Sequence, residues 1–379
     1  MSNKRLRIPF NHPVQLGGES EAIARAFRSG QTAGVGPLGT TCEELLESRF
    51  GTRVLLVSSC THALEMAALL LEMGPGDEVL VPSFTFVSTA NAFVLRGARP
   101  VFVDVDASGN IDVAAAAALR TARTRAVCAV HYAGNSCDLA DLAAALPGVA
   151  LVEDAAQALG STFRGRPLGT LGVAGAISFH ETKNVGCGEG GALVLPRPEL
   201  VERAEFIREK GTDRRKFSQG LVDKYTWVDL GSSYVLSELN AAYLEPQLRA
   251  LERIHARRAE VFARYLEALA GPAARVGARP IEPPVHNGAG NAHLFALVFR
   301  SGEQRRRYIA WMGEHGILTP FHYVPLHRSP MGLRFHDGRP LPMSERLGEC
   351  LVRLPLFFNL TDAQVDEVVD RTVEFLRGL

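Results

Sequence analysis

An excess of charge of either sign is missing from this chain: over 379 residues, 41 Lys and Arg balance 41 Asp and Glu. A nucleic-acid binder usually carries a basic excess, so none is expected as a partner. Six cysteines (Cys42, Cys60, Cys128, Cys137, Cys187, Cys350) are scattered with no CxxC pair. That suits a reducing compartment better than a disulfide framework or a zinc site. No apolar run approaches the roughly 18 residues a membrane span needs. The basic start "MSNKRLRIPFNHPV" meets Pro9, Asn11 and Pro13 where a signal peptide needs apolar residues, so a cytoplasmic protein is expected. HExxH and Cys/His ligand spacings are absent too, and no metal is expected.

What the chain does have is a 46% hydrophobic composition, enough for a sizeable core. Short apolar runs recur through its first two thirds: "RVLLVSS" (53–59), "DEVLVP" (77–82), "RPVFVDVD" (99–106), "RAVCAVHY" (125–132), "VALVEDA" (149–155), "VAGAISFH" (173–180) and "GALVLP" (191–196). Runs without polar alternation read as strands buried on both faces. Helical segments lie between most of them. "THALEMAALLLEMG" places Ala63, Met66, Ala67 and Leu70 on one face and is expected to stop at Gly74. "VAAAAALR" and "LADLAAAL" are shorter helices, with Asp112 and Asp138 placed to cap them.

This alternation predicts an α/β fold with a mainly parallel seven-stranded sheet covered by helices. The last interval is too short for a crossover, so "GALVLP" is expected antiparallel to its predecessor. Residues 208–234 show no steady period. A long amphipathic helix follows, with Pro246 as its expected kink or break. The division expected is a large domain over 1–249, including the N-terminal segment, and a smaller C-terminal α/β domain over 250–379.

Ligands of open parallel sheets sit beyond the carboxyl ends of the strands. "GVGPLG" (34–39) fits a dinucleotide-binding fingerprint, but a helix and loop rather than a strand precede it, so a flexible loop near the site is the reading adopted. At the strand ends, "SSCTHALEMA" offers hydroxyls and free amides at a helix start, a natural phosphate cradle or an ordinary N-cap. Ser178 could complete that cradle. Asp154 closes a buried strand, where it either caps the next segment or partners a protonated ring nitrogen. Gln157 can hydrogen-bond a phenolic oxygen, and Phe86 either covers a ring face or is plain core. Lys183 lies in "SFHETKNVGCGEGG" (178–191). A lysine removed from water beside other cations becomes a nucleophile for carbonyls. An aldehyde cofactor with a phosphate, a ring nitrogen and a phenolic oxygen matches these groups together, and that cofactor is pyridoxal phosphate.

On "PGDEVLVPSFTFVSTANA", "VFVDVD", "VEDAAQALGSTFRGRPLGTLG", "SFHETKNVGCGEGG" and "FHYVPLH" the sequence resembles the DegT/DnrJ/EryC1/StrS sugar aminotransferases. The resemblance implies the type I, aspartate aminotransferase-like fold of pyridoxal phosphate enzymes. It implies that Lys183 is the Schiff-base lysine and proton carrier, Asp154 the pyridinium partner, Gln157 the contact to the ring oxygen and Phe86 the stacked residue. Cys60, Thr61 and Ser178 match phosphate-binding positions, and Tyr323 and His327 match a substrate loop. Ser233, in "GSSY", stands where many members offer an asparagine to the neighbouring subunit's cofactor phosphate.

The resemblance also implies L-glutamate and a nucleotide-linked keto sugar as substrates, with a homodimer sharing its active sites. The basic stretch Arg208, Lys210, Arg214, Arg215 and Lys216 is a candidate clamp for the sugar nucleotide's diphosphate, or a solvated loop. Alternatives left open are a 3-keto sugar substrate, gluco configuration at C4, a nucleotide-sugar oxidoreductase using the glycine loop, and a non-catalytic regulator on the same fold.

Overall fold

Seven strands form the central sheet: β1 (Arg53–Val57), β2 (Glu78–Pro82), β3 (Arg99–Val103), β4 (Thr124–Val130), β5 (Ala150–Asp154), β8 (Ala174–Ser178) and β9 (Gly191–Leu195). The chain is described by a computed structural model over residues 6–281 and 288–379. A small hairpin, β6 (Thr162–Phe163) and β7 (Arg166–Pro167), intervenes. The order β1-β9-β8-β5-β4-β2-β3 is parallel except for β9, which runs antiparallel to both neighbours. Each predicted strand is present, and the antiparallel pairing of "GALVLP" is observed.

The sheet is buried on both faces because its strands carry little but Val, Leu, Ile and Ala. One core gathers Leu56, Leu80, Val127 and Ile177 with Leu46, Leu142 and Leu244 from the helices Pro37–Phe50, Leu139–Ala145 and Glu238–Arg249. The other gathers Leu55, Val79, Cys128 and Leu193 with Met66, Phe93 and Ile207 from the helices Cys60–Leu70, Val87–Val94 and Val201–Arg208. The aspartate caps form as expected, Asp112 accepting from Ala115 N–H and Asp138 from Ala140 and Asp141 N–H.

Two local expectations are corrected. The helix after β1 ends at Leu70 rather than at Gly74. Glu72 takes the left-handed conformation (φ 53°), and Met73 N–H closes onto Ala68 O. Gly74 instead opens the turn into β2, its N–H bound by the Asp77 carboxylate at 3.0 Å. "GVGPLG" is not a flexible loop near the site. It begins the helix Pro37–Phe50, and its amides are held by the buried carboxylate of Glu238.

The helix Glu238–Arg249 contains Pro246 and breaks at Ala250, where the helix Leu251–Arg275 takes over. Beyond it, β10 (Arg279–Pro280), β11 (Phe295–Val298) and β12 (Leu351–Leu354) form a three-stranded antiparallel sheet. This sheet packs on the helices Leu251–Arg275, Gly302–Glu314 and Asp362–Arg377 through Tyr265, Phe295, Tyr308 and Phe375. Ile8 joins that C-terminal core and bridges to Ile317, so the N-terminal strap crosses over to it. A further apolar cluster, including Phe84, Tyr132, Leu294 and Leu351, fastens the carboxyl edge of the large sheet to the small one. The site lies beside that seam.

Candidate active site

A cavity of about 780 Å³ opens over the carboxyl ends of β1, β2, β4, β5 and β8. Its wall includes Cys60, Thr61, Phe86, Asp154, Gln157, Ser178, Lys183 and Tyr323, so eight residues singled out from the sequence converge on one space. Parallel strands make this unavoidable: residues that follow strands running in one direction emerge at one edge.

Asp154 ends β5 and is 6% exposed. Its carboxylate accepts the Thr89 hydroxyl at 2.7 Å and Ala156 N–H at 3.2 Å. Because Thr89 donates there, the Thr85 hydroxyl at 2.9 Å must donate to Thr89. The ion pairs seen among the described residues give Asp154 no cation. A buried carboxylate with two donors and no counter-ion is suited to a protonated ring nitrogen in the cavity.

Gln157 is oriented from both ends. Its Oε1 accepts Ala133 N–H at 2.8 Å, so its Nε2 points to the Tyr323 hydroxyl, 3.1 Å away. One amide hydrogen is left for an oxygen beside them. The hydroxyls of Thr61 and Ser88 lie 2.8 Å apart at the starts of two helices. Ser59 caps the first of these, accepting His62 N–H. Backbone amides at such a start form an anion seat. Gly191 lets β9 press against it, since a Cβ there would lie 2.4 Å from Cys60 N. Ser88 was not predicted, although its place just after the β2 end was a readable signal.

Lys183 follows β8, its N–H bound to His180 O at 2.9 Å. Burial lowers its basicity, Arg353 adds to that effect, and Cys60 and Asp154 partly oppose it. Asn184, next in the chain, donates from Nδ2 to Asn291 O and turns Oδ1 to His293 Nδ1, both at 2.9 Å. That acceptor fixes the His293 proton on Nδ1. Burial first, then Lys183, holds His293 well below the ordinary imidazole range, as burial and then Arg353 do for His322. His293, His322 and Arg353 all line the cavity and went unpredicted; His293 and Arg353 arrive from the C-terminal region by tertiary folding, whereas His322 lies in "FHYVPLH" beside Tyr323.

Three predicted residues lie elsewhere. His327 is 3% exposed, and its ring nitrogens are engaged by Ser83 Oγ at 2.7 Å and Glu345 Oε1 at 3.1 Å. It fastens the substrate-loop candidate to β2 and is outside the cavity wall. Lys210 and Ser233 lie in the 208–234 excursion, where Ser233 bridges to Glu209, and neither reaches this cavity. The basic stretch is largely neutralised within the chain. Arg208 is buried against Glu43 at 2.6 Å, Lys216 meets Glu202 at 2.6 Å, and Arg215 pairs with Glu205. Arg208 and Arg215 therefore serve the fold, since their charges are already matched.

Among the described residues no cluster of three or more His, Cys, Asp or Glu could hold a metal ion, and no helix is long and apolar enough to cross a membrane. A lysine of lowered basicity, an unpaired buried acid, an amide donor and a hydroxyl-lined helix start meet every polar group of pyridoxal phosphate. Fold and donor set together define a pyridoxal phosphate-dependent aminotransferase.

The chain belongs to the DegT/DnrJ/EryC1/StrS aminotransferase family, whose model matches residues 17–373. It is similar to the aminotransferase TlmJ from Streptoalloteichus hindustanus, with 33% identity, a TM-score of 0.89, and 98% of this chain and 99% of that one covered. It is also similar to the putative sugar aminotransferase Spr1654 from Streptococcus pneumoniae in its PLP-form, with 25% identity and a TM-score of 0.89 over 98% of this chain and 99% of that one. A PMP-form of Spr1654 matches with a TM-score of 0.90 and 25% identity over 98% of this chain and 100% of that one.

Proposed function

We propose that this aminotransferase moves the amino group of L-glutamate to the 4-keto group of dTDP-4-keto-6-deoxyglucose, giving dTDP-4-amino-4,6-dideoxygalactose for a bacterial surface polysaccharide such as enterobacterial common antigen. The observation that carries the chemistry is Lys183 of lowered basicity in one cavity with the unpaired Asp154. The choice of sugar rests on the sequence, where "PSFTFVSTANAFVLRGA", "VHYAG", "SFHETKN", "IREKGT", "VDKYTW" and "LGSSY" most resemble dTDP-4-amino-4,6-dideoxygalactose transaminase.

When bound, pyridoxal phosphate supplies the carbonyl that carries the amino group and the electron sink that lets a Cα proton leave. Lys183, its basicity lowered by burial, takes the proton from the donor's Cα and later gives one to C4 of the sugar. The face from which it does so sets the configuration there. Asp154 keeps the ring nitrogen protonated, with its own orientation fixed by Thr89. Gln157 holds the phenolic oxygen, Phe86 covers the ring, and Cys60, Thr61 and Ser178 seat the phosphate with the amides of the helix start.

The active unit is a homodimer in this reading. The excursion 208–234 supports it by exposing Phe217, Leu221, Tyr225, Trp227 and Leu230, with Trp227 78% exposed. From there Ser233 and Lys210 serve the neighbouring site. The large and small domains divide at Ala250.

The test is incubation with glutamate and dTDP-4-keto-6-deoxyglucose, followed by product structure from NMR. An axial C4 amine establishes the galacto product. An equatorial amine overturns the stereochemistry while keeping the chemistry. No amination of this sugar overturns the choice of substrate.

A further inference from the structure

Two histidines of the cavity wall have no use in the scheme above, and they are set in opposite senses. His293 stands just before β11, and its backbone is clamped. Arg258 donates from Nε to Ala292 O at 3.1 Å and from Nη2 to His293 O, while Asn291 Nδ2 reaches Gln157 O and Leu159 O, both at 2.9 Å. The ring is turned by Asn184, which spends Nδ2 on Asn291 O and accepts His293 Nδ1–H at 2.9 Å. Nε2 is then a lone pair without a proton. It has no hydrogen-bond partner among the described residues and is left to the cavity. His322 is the reverse. The hydroxyl of the fully buried Tyr132 donates to His322 Nδ1, 3.0 Å away, so His322 carries its proton on Nε2. Of these two imidazoles only His293 can accept a hydrogen bond.

Lys183 is the donor at hand. It lines the same cavity, and Asn184 is its neighbour in the chain. Among the charged groups acting on His293 it comes first, ahead of Arg258, Arg353 and His255. No carboxylate stands in that set, so the ring stays uncharged beside the amine. A lysine that moves a proton needs its lone pair aimed at the reacting carbon, and an acceptor for one N–H fixes that aim. We propose that His293 Nε2 is the acceptor that seats the Lys183 amine, with Asn184 setting the tautomer that makes it one. His293 is thus a positioning residue. It favours the ammonium once Lys183 has taken the proton, and it adds no charge of its own. The inference rests on the reading that Lys183 carries the proton, and it is independent of which sugar is aminated.

The experiment compares wild type with His293→Gln, His293→Asn and Asn184→Asp. A glutamine oxygen reaches the place of Nε2, whereas an asparagine reaches only that of Nδ1. In enzyme loaded with the aminated cofactor Lys183 is free. Its labelling by an amine-directed reagent, read by mass spectrometry across pH, gives the midpoint at which the amine loses its proton. Loss of one hydrogen bond to the ammonium predicts a midpoint lower by about one to two pH units in His293→Asn, and by less than about half a unit in His293→Gln. The glutamate half-reaction of the aldehyde form, followed by the cofactor's absorbance, slows by roughly 10- to 100-fold in His293→Asn with KM changed by less than about threefold. His293→Gln recovers most of that rate. In Asn184→Asp the new carboxylate favours the imidazolium, which cannot accept a hydrogen bond. That variant keeps its rate at high pH and gains an acid limb toward the ordinary imidazole range, about 6.5.

Equal midpoints in wild type and His293→Asn overturn the proposal. An equal loss in both amide variants overturns it too, because that marks a structural role. So does an Asn184→Asp profile that matches wild type. A shifted labelling midpoint in an enzyme whose Lys183→Ala variant keeps its turnover would refute the proton-carrier reading and leave the contact standing.

Discussion

Glu238 sits where a dinucleotide's phosphate would sit if "GVGPLG" were a nucleotide-binding loop. It is 1% exposed, and its Oε1 accepts Gly36 and Gly39 N–H at 3.1 and 2.8 Å while Oε2 accepts Leu38 N–H at 2.8 Å. The N-cap Gly36 has no side chain to offer, so this carboxylate from some two hundred residues away caps the helix Pro37–Phe50. The glycines leave room for it, since a Cβ on Gly36 would lie 2.5 Å from the carboxylate carbon. Hydrogen bonds to a charged group contribute about 1.5–3 kcal/mol each, and an unsatisfied buried N–H costs about 1–3 kcal/mol. Three such bonds bound the loss, and relaxation that admits water reduces it. Glu238→Ala is therefore expected to destabilise by about 4 kcal/mol, a large share of the 5–15 kcal/mol typical of a folded domain. Glu238→Gln, keeping one acceptor oxygen but turning an NH2 against an N–H, is expected to lose about 2 kcal/mol. Urea unfolding followed by circular dichroism, with hydrogen exchange at Leu38–Thr40, reads both losses. A loss below about 1 kcal/mol in Glu238→Ala, or NADH binding to the wild type, would show that the carboxylate is not the anion this helix start requires.

Other expectations follow from the site and from one buried histidine. Lys183→Ala should reduce turnover by at least about 10²–10⁴-fold while substrate binding persists; near-native turnover in a steady-state assay refutes the proton-carrier role. Asp154→Asn keeps the Thr89 contact and removes the charge, so it should lower kcat far more than Thr89→Val does; equal losses would mean that orientation, not charge, is what Asp154 supplies. His255, whose Nε2 is buried without a partner, is held down to about 4 by burial and then by Arg258. Its folded value lies below the unfolded value of 6.5, so the unfolded chain binds more protons between the two and stability falls as pH drops through that window. The loss at pH 4 is about 3 kcal/mol, and His255→Asn should flatten that part of a denaturant-midpoint-against-pH curve. Glu153→Gln should destabilise by about 3 kcal/mol, because the buried carboxylate accepts His131 Nε2 and the Gly169, Leu171 and Gly172 amides at 2.6–2.9 Å.

What the sequence determined was whatever local chemistry decides. Runs of Val, Leu and Ala with no polar alternation have to be strands buried on both faces, and all seven are. Asp112 and Asp138 cap helices because a short acidic side chain before an apolar segment satisfies the first amides. Parallel strands gather their carboxyl ends on one rim, so Cys60, Phe86, Asp154, Gln157, Ser178 and Lys183 could be placed together from sequence alone. Tertiary structure decided everything that depends on a partner remote in the chain. Arg208 looked like part of a diphosphate clamp until Glu43 was found to match its charge. His327 looked available until Ser83 and Glu345 engaged both ring nitrogens, while His322, five residues earlier, turned out to face the cavity. Gly74 looked like a helix stop until Asp77 drew it into the turn before β2. Arg353 and His293 carry no local mark of function. They reach the cavity because the seam of Phe84, Tyr132 and Leu294 folds the small sheet over the large one, and whether a buried charge is matched depends on what the fold sets beside it.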